Sequence, residues 1–128
     1  MRKKLKVERH YSEAGKVLVN SELFTECLVI ILDNAIKYSP QNGCLVIKIG
    51  QLDGKVQIII LDEGAGFSDE AMQTIFQFYE PGEEHVDQNI GLGLATAKLI
   101  MDVHNGDIGV ANTDTGARVE LMVPAAND

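Results

Sequence analysis

CLVIKIGQLDGKVQIIIL, Cys44 to Leu61, decides the architecture. Cys44–Gly50 and Lys55–Leu61 are rich in Val and Ile, which suit a pleated, half-buried surface. Asp53-Gly54 between them fits a tight turn with positive φ at both central residues. The two strands should pair antiparallel, which excludes an all-parallel, doubly wound sheet. Upstream, Leu5 to Tyr11 alternates apolar with polar residues and Lys16–Val19 is a second short strand candidate. Between them and the hairpin lies the clearest helix. Asn20 and Ser21 are capping types, Leu23 to Tyr38 holds no Gly or Pro, and Ser39-Pro40 stops it. Its apolar residues run nearly all round, so most of it should be buried, with one polar stripe of Glu26, Ile30, Asp33, Asn34 and Lys37.

Downstream, Ser68 caps a short helix to about Phe76, with Asp69 and Glu70 favoured by the helix dipole. Gln77–Ile90 has the composition of a loop. Leu92–His104 reads as a helix with Leu94, Ala97, Leu99, Ile100, Met101 and Val103 on its buried side, ended by Asn105-Gly106. Asp107–Asn112 and Arg118–Val123 flank a Thr113–Gly116 turn. The expected fold is α+β: a two-layer α/β sandwich with three main helices on one face of a mixed, mostly antiparallel sheet.

At 128 residues, 45% hydrophobic and 23% charged, the chain is one ordinary core, neither disordered nor repetitive. No apolar run approaches the roughly 18 residues of a membrane span, and the basic start Met1–Lys6 does not lead into a secretory core. Cys27 and Cys44, in apolar surroundings without metal-ligand spacing, read as reduced thiols. The net charge is −8. From Val56 to Ala97 every charged side chain is a carboxylate, which would repel a nucleic acid. Arg2, Lys3, Lys4, Lys6 and Arg9 cluster at the other end as a solvated strand edge.

Three segments carry chemistry. Asp62 follows the apolar run Ile58–Leu61, at the rim of the sheet. A carboxylate accepts hydrogen bonds only, so it suits an exocyclic amine and opposes a carbonyl, and Gly64 and Gly66 let backbone approach a flat ring. The same residues also suit a plain turn capped by Asp62. Asn34 is an uncharged oxygen donor on a buried helix: it suits a magnesium ion bridging phosphates with Lys37 balancing charge, or a bond to a neighbouring strand with Lys37 paired to Asp33. Gly91-Leu92-Gly93 opens a helix, either as an anion cradle or as an eased helix start. No strand feeds it, so a dinucleotide-binding fingerprint does not apply.

Jointly, Glu26 with Asn34-Ala-Ile-Lys-Tyr-Ser-Pro, Asp62-x-Gly-x-Gly, Ile75-Phe76 with Phe78-Tyr79, and Gly91-Leu-Gly-Leu-Ala-x-Ala-Lys followed by His104-Asn-Gly resemble the N box, first glycine box, F box and second glycine box of GHKL ATP-binding domains, specifically the catalytic domain of bacterial sensor histidine kinases. The likeness spans about residues 4–124 of a single domain, 1–128. It implies ATP and Mg2+, with Asn34 binding the metal, Lys37 the phosphates, Tyr38 packing near the adenine, Asp62 taking its amine above Gly64 and Gly66, and Ile75 and Phe76 of the F box among the nucleotide-binding residues. Gly91, Leu92, Gly93 and Leu94 would frame lid and phosphates, and Thr115-Gly116 would close the pocket.

The implied partners are a histidine phosphoacceptor and dimerisation domain of the same parent protein and a response regulator downstream. The resemblance points to a cytoplasmic, monomeric domain touching neither membrane nor nucleic acid. There are departures. Ile30 stands where many relatives carry a polar Asn or Glu, which disfavours hydrolysis by that general base but not phosphoryl transfer to an outside nucleophile. The F box is compressed, with Glu80 after it. Asn89 replaces a first lid glycine, and Glu83, Glu84 and Asp87 make the lid acidic, so weak affinity or strong magnesium dependence is expected. No histidine has the phosphoacceptor pattern, and His104 reads as a structural cap. The rival functions are a non-catalytic nucleotide-regulated binding module and an anti-sigma-type serine protein kinase of the same fold.

Overall fold

The computed structural model describes residues 5–12, 15–64 and 88–126. Five strands, β1 (Lys6–Tyr11), β2 (Cys44–Leu52), β3 (Lys55–Asp62), β4 (Asp107–Asn112) and β5 (Ala117–Pro124), form one sheet in the order β1-β2-β3-β5-β4. Every pairing is antiparallel except β1 with β2, so the sheet is mixed and mostly antiparallel, as expected. The β2–β3 hairpin turns at Asp53 and Gly54, with φ of 53° and 76°. Lys16–Val19 does not form a strand: Val17 makes one isolated bridge to Ala125. Four residues with no partner ladder on the far side bury too little to hold a longer pairing.

Two helices, α1 (Ser21–Tyr38) and α2 (Gln88–Val103), pack on one face of the sheet. The third expected helix, Ser68 to about Phe76, lies outside the described residues. Asn20 caps α1, its side chain accepting from the Leu23 amide at 3.0 Å. Asn105, at φ 56°, ends α2 in the left-handed conformation, and Gly106 N–H returns to the Met101 carbonyl at 2.8 Å. Alternate residues of the central strands, Val56, Ile58 and Ile60 on β3 and Val119, Leu121 and Val123 on β5, meet Cys27, Ile31 and Ala35 of α1 and Leu94, Ala97 and Met101 of α2 in one core. Each large side chain buried there contributes on the order of 1.5–3 kcal/mol.

The helices are less buried than their composition suggests. Val29 and Ile36 on α1 and Leu99 and Val103 on α2 are exposed. At about 100° per residue they lie opposite Ile31 and Leu94, on faces that meet no layer among the described residues. A second correction concerns where α2 begins. Gln88, Asn89 and Ile90 are helical rather than loop, so Gly91 and Gly93 lie inside the first turns of the helix and not before it. Its unpaired first-turn N–H groups accordingly sit upstream of Gly91. Two glycines lower helix propensity by about 1 kcal/mol each, a local preference that packing against α1 overrides.

Candidate functional site

The site is built along α1. Asn34 projects from it towards α2, where a side chain on Gly93 would stand 3.2 Å from Cγ2 of Ile30 and 3.8 Å from Nδ2 of Asn34. The missing side chain is what lets the two helices approach so closely. Nδ2 of Asn34 is buried and has no hydrogen-bond partner among the described residues. One turn further, at the helix end, the Tyr38 carbonyl abuts Gly64, at which any Cβ would collide with it. Asn34 and Tyr38 are four residues apart on one face, so the asparagine segment touches the downstream glycine segment at one turn and the strand-end glycine segment at the next.

Asp62 ends β3. Its Oδ1 accepts from the Gly64 amide at 2.8 Å, closing the turn that carries the chain away from the sheet. Burial pushes its carboxyl above the ordinary 3.8, opposed by the Gly64 and Ala117 amides that donate to it. It is a half-buried acceptor with part of its capacity already used by backbone. On the next turn of chain, Glu63 Oε1 accepts from the Cys44 amide at 2.5 Å and ties the strand end to β2. Gly116 presses on the other side: a Cβ there would overlap the Asp62 carbonyl oxygen. The Thr113–Gly116 turn that delivers it is held by Thr113 Oγ1, which accepts from Gly116 N at 3.0 Å.

Asp62, Glu63, Thr113 and Thr115 line a cavity of about 280 Å³ floored by Cys44, Val46 and Leu61. Asn34 and Gly93 are not part of that cavity.

Other expected site residues fall differently. Lys37 Nζ stands 5.4 Å from the centroid of the Tyr38 ring. Leu94 is fully buried in the core, so it supports the helix rather than facing a ligand. Gly91 and Leu92 are helical. Gly66, Ile75, Phe76 and the acidic lid lie outside the described residues. His104 is the structural cap its sequence suggests: its Nδ1 is 2.8 Å from the Ile100 carbonyl and its Nε2 accepts from Asn20 N at 2.9 Å, with the Phe24 ring edge-on. The contacts that composition and spacing did not reveal are those of Gly64, Gly93 and Gly116 with residues distant in sequence. Their advance sign was the glycine spacing of Asp62-x-Gly-x-Gly, Gly91-Leu-Gly and Thr115-Gly116, which named the residues but not their contacts.

The donor set suits a hard divalent cation bound mainly through a ligand. Asn34 offers one neutral oxygen, and no group of three or more His, Cys, Asp or Glu converges among the described residues. Phosphate oxygens and water would have to complete the coordination of magnesium, which dehydrates reluctantly. The Asn34 Nδ2, unpartnered among the described residues and beside Gly93 in the second turn of α2, is consistent with such a polar ligand.

Residues 19–127 match the model of the histidine kinase-, DNA gyrase B- and HSP90-like ATPases. The chain is 33% identical over 106 residues to the sensor protein KdpD of Clostridium acetobutylicum, covering 80% of this chain and 12% of that protein. It is 33% identical over 114 residues to the adaptive-response sensory kinase SasA of Gloeothece citriformis, covering 87% and 29%. It thus spans less than a third of the length of either relative. In fold it matches the mycobacterial sensor histidine kinase MprB with a TM-score of 0.79 at 24% identity, over 97% of this chain and 84% of that one. With both helices and four of the five strands inside the matched residues 19–127, the chain belongs to the histidine kinase-, DNA gyrase B- and HSP90-like ATPase family.

Proposed function

We propose that the chain is the ATP-binding catalytic domain of a sensor histidine kinase, which transfers the γ-phosphoryl group of ATP to a histidine on a separate dimerisation domain of its parent protein, a response regulator then receiving it. The observation that carries this reading is the double contact of α1, with Gly93 at Asn34 and with Gly64 at Tyr38, which draws two distant segments to one helix. Asp62, acceptor only, would take the exocyclic amine of adenine and oppose the carbonyl of guanine. Asn34 would hold Mg2+ through its side-chain oxygen, and Lys37 would neutralise phosphate charge. Bound magnesium supplies charge neutralisation at the transferring phosphoryl group.

Ile30 bears on the reaction. An alkyl side chain takes no proton, so hydrolysis through a base at that position is disfavoured, whereas phosphoryl transfer to a nucleophile supplied from outside the domain is not. This chain's own work is to bind, orient and exclude water, with any base for the accepting histidine supplied by the partner domain. The domain is proposed to lie in the cytoplasm; no helix among the described residues is long and apolar enough to cross a membrane.

Two measurements test the proposal. Titration with a fluorescent ATP analogue and magnesium should show binding that Asp62→Asn abolishes or weakens more than about tenfold, the equivalent of roughly 1.4 kcal/mol. Addition of a dimerisation and histidine domain with γ-labelled ATP should yield acid-labile, histidine-borne label. Nucleotide binding without any label would favour a non-catalytic nucleotide-regulated module, and label on serine would favour a serine kinase of the same fold.

A further inference from the structure

We propose that Ile30 and Gly93 act together as a positioning pair for the Asn34 carboxamide, so that Ile30 serves the nucleotide site by shape rather than by chemistry. The inference rests on the proposed metal-binding role of Asn34. Asn34 has two polar side-chain atoms that diverge from one carbon. Nδ2 is buried with no hydrogen-bond partner among the described residues, against the backbone of α2 at Gly93. Among the described residues no hydrogen bond to Nδ2 fixes the amide rotation, which leaves packing to do it. The nearest group over Gly93 is Cγ2 of Ile30, which stands one turn before Asn34 on α1 and packs on the core. This methyl branches from Cβ and is stiff about χ1 in a helix. It shares the space over Gly93 with Nδ2 of Asn34, the two standing 3.2 and 3.8 Å from the place a Cβ there would take. With Nδ2 on the side of Gly93, the planar amide puts Oδ1, the atom proposed to hold the metal, on the other branch of the same carbon. A polar residue at position 30 would contribute a proton acceptor; isoleucine contributes a fixed wall.

The pair makes a compensation experiment possible. In Gly93→Ala the new Cβ meets Ile30 Cγ2 at 3.2 Å, closer than ordinary contact, so either α2 or the Asn34 side chain must shift. Ile30→Leu keeps the residue's volume but removes the branch at Cβ. In the ligand-free protein, the side-chain NH2 resonances of Asn34 in 1H–15N spectra should move in both variants, whereas the double variant Gly93→Ala/Ile30→Ala should return towards the wild-type position. In titrations with a fluorescent ATP analogue, the affinity gained on adding magnesium should fall about tenfold in Gly93→Ala, the scale of residues that orient metal ligands, a larger loss than that of metal-free affinity. The double variant should recover most of that gain.

Unmoved Asn34 resonances in both single variants, equal losses of metal-free and metal-dependent affinity, or no recovery in the double variant would each overturn the pairing. If Gly93→Ala does not fold, Ile30→Leu alone decides it by the same two readouts. A wild-type chain that binds nucleotide without any magnesium dependence would overturn the metal role of Asn34 and the pairing with it. Magnesium-dependent wild-type binding with indifferent variants would overturn the pairing alone.

Discussion

Gly116→Ala should be the most damaging single methyl that can be added to the described part of the chain. Gly116 ends the Thr113–Gly116 turn immediately before β5, and its Cβ position overlaps the carbonyl oxygen of Asp62, with the carbonyl carbon and the Glu63 Cα both at 2.8 Å. All three obstacles are backbone, so no rotamer change relieves them. Relief requires separating β3 from β5 where Asp62 faces Ala117, and it loosens the Gly116–Thr113 bonds. Overpacking a tight site costs about 1–3 kcal/mol, and an immovable neighbour puts this case near the upper end, at about 2–3 kcal/mol. With an unfolding entropy of about 2.1 cal/mol/K per residue, a chain of 128 residues changes by about 0.27 kcal/mol per degree, so Tm should fall by about 7–11 °C. Gly109→Ala, on the neighbouring strand with nothing within 4 Å of its Cβ, is the control and should be neutral within about 0.5 kcal/mol. Gly54→Ala belongs between them, because its φ of 76° is strained for alanine although the space is open. Thermal unfolding by circular dichroism ranks the three. Because the displaced group is Asp62, Gly116→Ala should also weaken nucleotide binding, whereas Gly54→Ala should not. A Gly116→Ala protein that melts with Gly109→Ala would refute the close approach of the turn to the strand end.

His104→Ala removes the acceptor of the Asn20 amide and the contact with the Ile100 carbonyl; a loss of about 1–3 kcal/mol should appear as a lower Tm and faster amide exchange at Asn20 and the first turn of α1, and unchanged exchange there would count against the tether. Cys27 is fully enclosed, its thiol pushed up to about 11 by burial, so at pH 8 only on the order of one molecule in a thousand carries the thiolate. Iodoacetamide on the native protein, followed by peptide mapping, should mark half-buried Cys44 first, and equal labelling would contradict the burial. Asp62 binds its proton more tightly folded than unfolded, because burial raises it above 3.8. The stability it contributes is therefore present below pH 3.8 and lost as pH rises through the folded value. Asp62→Asn should melt no lower than wild type at pH 7, with a flatter acid profile, while losing nucleotide; a Tm more than about 5 °C lower would overturn this sign.

What the residues announced was local. The Asp53-Gly54 turn, the Asn20 cap and the Asn105-Gly106 ending each depend on a few neighbouring residues, and each stands where the sequence places it. Helix faces were not legible in the same way. Leu99 and Val103 are as apolar as Leu94 and Met101, and only the position of the sheet decides which pair is covered. The start of α2 was misplaced for a related reason. Gly91 and Gly93 look like breakers when their own propensities are weighed, but a residue without a side chain is also what a close helix contact needs. The same holds for Gly64 and Gly116, whose partners lie far away along the chain.

The glycines of the site therefore have a common office that differs from conformational freedom. None of Gly64, Gly93 and Gly116 has φ in the left-handed region, so backbone strain does not explain them. Each sits where another backbone or a packed side chain occupies the place of a Cβ. Gly93 and Gly64 meet α1 at Asn34 and Tyr38, residues four apart and so separated by about 6 Å along the helix axis. The helix acts as a rigid rule between the two contacts: the end that would hold metal and phosphate and the end that would hold the base are spaced by one turn of α1, while Gly116 fixes Asp62 from the opposite side. Side chains at any of the three would alter that spacing before they touched a ligand, and substitutions there should change affinity and stability together, whereas Asp62→Asn, which leaves the backbone contacts in place, should separate them.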